Sequence, residues 1–190
     1  MASQYDFDLD PVSFITIGTQ GPPGRRTFFL QAAQGPQIVS LVIEKQQAVA
    51  LAEGLQQMLE RIEEEAEGNP WDPADLQPVG GDMALLSPVR PSFRVAQMGI
   101  GVDEEEQRIV LIAEAFDEED EDEDEEPMDA TPRGQRARFS ATFGQMAALG
   151  QQALEVAGQG RPICPLCGEP MDPKGHFCPR TNGHQHGPSS

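Results

Sequence analysis

Basic residues are scarce: 13 Lys and Arg stand against 32 Asp and Glu in 190 residues, and the formal charge is −19. Association with nucleic acid relies on Lys and Arg displacing condensed counterions, so a polyanion is a poor partner for this chain. Long apolar runs are missing too. No segment approaches the roughly 20 apolar residues that cross a bilayer, and no basic N-terminal stretch leads into one. The expectation is a soluble, cytoplasmic protein without a membrane partner. Cysteine is confined to three positions, Cys164, Cys167 and Cys178. Three clustered thiols beside histidines do not make the evenly numbered disulfide framework of a small secreted chain, and they fit a reducing compartment. A catalytic signature is lacking as well: there is no Ser-His-Asp order, no HExxH, and no carboxylate pair that stands out from the acidic background.

What is present begins with length. A chain of 190 residues can bury one core and carry a small appendage, because single domains commonly run to roughly 100–150 residues. Residues 1–11 are polar and acidic and read as a loose lead-in. SFITIG, RRTFFLQAA and PQIVSLVIE follow, rich in β-branched and aromatic residues and separated by Gly- and Pro-containing turns. Connections that short cannot carry a parallel crossover, so three antiparallel strands are predicted.

From Lys45 the period changes. Ala48, Leu51, Ala52, Leu55, Met58, Leu59 and Ile62 recur at spacings of three and four, as one apolar helical stripe does, and Gly68-Asn69-Pro70 stops the helix. Residues 69–91 form a connector that is expected to pack on the core through Trp71, Leu76, Leu85 and Leu86. The order then recurs. SFRVAQMGIGVD, RIVLIAEAF and RARFSATF read as strands, and GQMAALGQQALEVAGQG as a second helix with Met146, Leu149, Ala153 and Val156 or Ala157 inward. Gly144, Gly150 and Gly158 weaken that helix, each by about 1 kcal/mol against Ala in a helix interior. The reading is an α+β core over 12–160, an antiparallel sheet with two helices arranged as two βββα units, 12–67 and 92–160. Identity between the units does not establish a duplication. Ten consecutive acidic residues, Asp117 to Glu126, carry over half of the net charge. Such a block repels itself, which predicts a disordered loop over 117–130.

The C-terminal stretch CPLCGEPMDPKGHFCPRTNGH carries the chemistry. Cys164 and Cys167, separated by two residues and followed by Gly168, form a knuckle that can turn back on one ion. Cys178 supplies a third sulfur, and a tetrahedral ion needs a fourth donor. His176 stands two residues before Cys178, on the same face of an extended strand. His184 could close the site instead if the chain loops through Asn182-Gly183, with His186 a remoter version. His176 is favoured, with His184 as the alternative fourth ligand. Three cysteines and a histidine fill the shell and leave no place for a reactive water, so the predicted zinc is structural. A Pro- and Gly-rich segment of this size does not fold without a metal or staple, which argues for a zinc-ribbon-like module over 161–186 rather than three unbound thiols. A redox dithiol would open a helix after a strand, and Pro165-Leu166 opens none.

FITIGTQGPPGRRTFFLQA, the helix EKQQAVALAEGLQQML and the closing CPLCGEPMDPKGHFCPRTNGH together resemble a bacterial family catalogued as domain of unknown function 3090, found chiefly in actinobacteria and chloroflexota. The resemblance implies a cytoplasmic protein and brings no activity with it.

GTQGPPGRR, residues 18–26, could expose backbone N–H groups beside Arg25 and Arg26 to an anion, but no GK[ST] follows and the next element is a strand, so a hairpin loop is the stronger reading. Arg133, Arg136 and Arg138 follow the acidic run, either as local charge balance or as a basic strand that the run covers. The function expected is that of a non-enzymatic interaction or adaptor protein with a structural zinc and a protein partner. One alternative is an enzyme or binding protein for an anionic small molecule at the 18–26 loop. The other is nucleic-acid binding by the ribbon through Lys174 and Arg180.

Overall fold

The computed structural model describes residues 4–22, 24–64, 73–116, 134–159, 166–167 and 178. Its elements are β1 (Phe7–Leu9), β2 (Phe14–Gln20), β3 (Thr27–Gln34), β4 (Gln37–Ile43), α1 (Lys45–Glu64), a 3₁₀ turn (Pro73–Leu76), β5 (Pro91–Asp103), β6 (Arg108–Ala115), β7 (Arg136–Thr142) and α2 (Phe143–Gly158). Seven strands make one sheet in the order β1-β7-β6-β5-β4-β3-β2. The architecture is mixed α and β.

The sheet is mixed, which corrects the antiparallel expectation. Antiparallel pairing holds within β2-β3-β4 and within β5-β6-β7. The two meanders meet through a parallel pair, Leu41 opposite Phe93 and Val42 opposite Arg94, and β1 runs parallel to β7, with Phe7 opposite Ala137 and Leu9 opposite Phe139. The reason is chain length: α1 and the segment after it separate β4 from β5, which is ample for a parallel crossover. The hairpin argument applied only inside each meander. The lead-in expected over 1–11 is corrected as well. Phe7 and Leu9 alternate with Asp6, Asp8 and Asp10, so one face of a short strand enters the core, where Leu9 is buried.

β1 and β2 lie at opposite ends of the strand order yet only residues 10–13 separate them, a reach of about 14 Å at most. The two edges therefore meet there. Val12 N–H donates to Ser140 O on β7 at 2.8 Å, and the next residue, Ser13, donates to Ala33 O on β3 at 2.7 Å. Farther along, α2 covers the edge of β2, and the Gln152 side-chain amide donates to Ile17 O at 3.2 Å. Thr142 caps α2 in a reciprocal box with Gln145, and Glu44 N–H is held by Gln47 Oε1 at 2.8 Å as α1 begins.

The inward residues of the strands and the stripes of both helices form one buried cluster. Ala48, Leu51, Ala52, Leu55, Met58 and Ile62 are buried on α1, and Met146, Leu149, Ala153, Val156 and Ala157 on α2. On the opposite face of β2–β4, Thr16, Gln31 and Ser40 are buried polar side chains. Segment 83–86 lies across them. Thr16 Oγ1 donates to Met83 O at 2.5 Å, and the Gln31 amide donates to Leu86 O at 3.1 Å while accepting from Leu86 N–H at 2.7 Å. The Gln31 amide also donates to Ser40 Oγ at 2.9 Å, so the strip satisfies its own polar groups. Gly18 allows the close approach: a Cβ there would stand 2.5 Å from Leu85 Cγ. Of the apolar connector residues singled out by sequence, Leu76 is buried, Leu85 half-buried and Leu86 exposed, while Trp71 lies outside the described residues.

Candidate functional site

The predicted metal donors fall largely outside the described residues. Cys164, His176 and His184 do so, as do Lys174, Arg180 and the acidic run 117–126. Cys167 is half-buried in a turn with Leu166, and Cys178 is 6% exposed. Among the described residues no three potential donors are grouped. The donor set itself, three thiols and an imidazole, suits a tetrahedral zinc, and a thiol withdrawn from solvent suits a closed site better than a reactive one.

The loop over 18–26 is built as a hairpin end. Gly18 to Gln20 belong to β2, Arg25 N–H donates to Pro22 O at 3.0 Å, and Gly21 has φ +100°. A Cβ at Gly21 would also sit 2.7 Å from Arg25 O, so glycine is required there for turning the chain. Arg26 Nη1 donates to Gln159 O at 2.7 Å. That carbonyl lies just past the C-terminal end of α2, where the helix dipole favours a cation. Arg26 thus serves the fold, and Arg25 is exposed.

The arginines of β7 are held by carboxylates on the neighbouring strands. Arg138 bonds Asp8 at 3.0 Å and Asp10 at 2.9 Å, and Arg108 of β6 reaches Asp10 at 3.2 Å. Arg136 pairs with Glu114, and its guanidinium lies 5.6 Å from the Tyr5 ring centre. Partial burial on its own would raise the Asp10 pKa, but the Ser140 hydroxyl, Arg138 and Arg108 outweigh it and hold the carboxyl below its usual range. Glu114 is lowered by the Gln97 amide, against burial and together with Arg136. Burial likewise opposes the charge on Arg138, and Asp8 and Asp10 overcome it, so its pKa is raised. This ladder ties together the three strands β1, β7 and β6 at one end of the strand order. Of the two sequence accounts of Arg136 and Arg138, charge balance describes these contacts, with partners on β1 and β6.

Sequence periodicity gave no sign of a cleft of about 400 Å³ between α1 and α2. Leu55, Leu59, Met146 and Leu154 supply apolar wall and floor, Leu76 to Pro78 close one end, and Gln56, Glu60, Glu63 and Gln151 stand on the rim. Leu59, read as part of the α1 stripe, is only half-buried, and Leu154 is 44% exposed. Their signal in the sequence was a leucine at the margin of each stripe. Gly150 faces α1 with Ala52 O and Leu55 Cβ each 3.8 Å from its Cβ position, which keeps the floor shallow.

Comparison with known families takes in nearly all of the segments described above. A family model for proteins of unknown function, DUF3090, matches residues 7–178. The chain belongs to the DUF3090 family. The DUF3090 match opens at the first residue of β1 and closes on Cys178, so it contains Cys164, Cys167 and His176 and stops short of His184. No curated protein and no solved structure matches the chain. No helix among the described residues is long and apolar enough to cross a membrane.

Proposed function

We propose that this DUF3090 protein is a non-enzymatic interaction protein of the cytoplasm, with the α1–α2 cleft as its recognition surface and a structural zinc organising its C-terminal segment. The cleft carries the reading. Concave sites lined mainly by apolar side chains, with a few polar groups at the rim, are where proteins take ligands and partner side chains, and here the apolar wall continues the core into solvent through Leu59 and Leu154. For the zinc, the support is the spacing of Cys164, Cys167, His176 and Cys178, all within the family match, and the burial of Cys178. The two βββα units, 12–67 and 92–160, remain part of the proposal as related halves of one core, meeting at the β4–β5 parallel pair.

Methionine-methyl NMR tests the cleft, because Met146 lines it. A panel of small aliphatic and aromatic fragments should shift the Met146 resonance at sub-millimolar to millimolar concentration and leave it in place when Ala147→Trp fills the groove. Shifts that ignore the Trp substitution, or no shifts with any fragment, would sink the reading.

A further inference from the structure

We propose that the cleft receives a basic amphipathic helix from a partner protein, an inference that rests on the cleft being the recognition surface. Its dimensions fit. The α1 wall runs from Ala52 to Glu63 and the α2 wall from Met146 to Leu154. At about 1.5 Å per residue these are about 16 Å and 12 Å, the length of two to three helical turns. A groove between two helices takes a third through apolar anchors spaced three and four residues apart. Leu55, Leu59, Met146 and Leu154 offer the facing surface.

Charge selects among occupants. Among the described residues, every ionised one lining the cleft is acidic, namely Glu60 and Glu63, which stand three residues apart on α1. Glu60 accepts a hydrogen bond from the Gln56 amide at 2.8 Å, and neither glutamate makes an ion pair among the described residues. Covering these carboxylates without a counter-charge costs desolvation that an apolar contact does not return, whereas Lys or Arg at the flank of an incoming helix restores it. A second copy of this chain, at −19, is repelled, and so is the acidic run 117–126 of the same chain. The occupant that answers both the apolar floor and the acidic rim is a helix with leucine-like residues on one face and lysine or arginine beside them.

Fluorescence anisotropy with labelled peptides and the full chain tests this. The probes are about 14 residues long, enough to span the groove, with leucines at helical spacing and the remaining positions Lys, Gln or Glu. At about 0.15 M salt the Leu/Lys peptide should bind, the Leu/Gln peptide about tenfold more weakly, and the Leu/Glu peptide least. Glu60→Gln with Glu63→Gln should weaken the Leu/Lys peptide about tenfold, as two ion pairs would, and leave the Leu/Gln peptide bound at least as tightly, because the uncompensated carboxylates are gone. Glu104→Gln with Glu105→Gln, in the turn between β5 and β6, should change neither. Equal weakening by the two double variants would reduce the effect to net charge and overturn the proposal. Equal affinity for the Lys and Gln peptides would overturn the basic helix while leaving the cleft standing. Binding of a short alkylamine with no affinity for any peptide would assign the cleft to a small cation and refute the helix. Binding of none of these probes would remove both readings.

Discussion

The three glycines of α2 look equivalent in sequence, and the fold separates them. At Gly144 a Cβ would stand 2.7 Å from Gln77 O and 2.8 Å from Val79 Cγ2. Neither can retreat easily, because Val79 N–H donates to Gly144 O at 3.0 Å and ties the connector to the start of the helix. Overpacking of this kind typically costs about 1–3 kcal/mol. The helix-propensity gain of Ala is about 1 kcal/mol in an interior and smaller in the first turn, where residue 144 stands. Gly144→Ala should therefore destabilise by about 1–2 kcal/mol, lowering the thermal midpoint by about 2–8 °C in a chain of this size. Gly158 has nothing within 4 Å of its Cβ position and no positive φ. Gly158→Ala should stabilise by about 0.5 kcal/mol, the low end for a terminal turn. Guanidinium unfolding followed by far-ultraviolet circular dichroism gives both values. A Gly144→Ala protein as stable as the parent, or two substitutions shifting stability alike, would refute the close approach of residues 77–79 to α2.

Acid should loosen the ion-paired β1-β7-β6 end of the sheet: Asp10 and Glu114 have folded-state pKa values below their ordinary ones, so the unfolded chain takes up their protons first as pH falls. The stability they contribute is present above about pH 4.5 and is lost below about pH 4. Guanidinium midpoints from pH 7 to pH 3 should fall, with a shallower fall in Asp10→Asn, and a parallel fall in both proteins would contradict the role of Asp10. For the C-terminal segment, metal analysis of reduced protein purified without chelator should find about one zinc per chain, lost in Cys178→Ala with the sheet and helices still folded. His176→Ala should weaken zinc retention more than His184→Ala, and the reverse order would exchange the fourth ligand.

Local order could be read from the chain because it is written in short periods. The α1 stripe from Ala48 to Ile62 and the α2 residues Met146, Leu149 and Ala153 are buried where a 3.6-residue period puts them. The hairpins β2-β3 and β5-β6 announced themselves by the turns between them. Long-range partners left no such mark. Nothing near Leu41 indicates that Phe93 lies beside it in parallel, and β1 is only three residues long. Its alternation of Asp6, Phe7, Asp8, Leu9 and Asp10 was visible, but an acidic terminus masked it. Gln31 reads as a polar interruption in a strand until segment 83–86 crosses it. The cleft depends on how two helices sit side by side, which no periodicity within either one encodes. For the metal donors the spacing speaks plainly in the sequence, whereas Cys164 and His176 lie outside the described residues.

Site-specific photo-crosslinking in living cells tests most directly whether this DUF3090 protein works by holding a partner in the α1–α2 cleft. A benzophenone amino acid replaces Leu154, exposed on the cleft wall, or Glu105, exposed in the turn between β5 and β6. The account predicts a discrete crosslinked species from position 154, absent from position 105 and abolished when Ala147→Trp is added to fill the groove. Equal crosslinking from both positions, or a position-154 product that survives the filled groove, would contradict it.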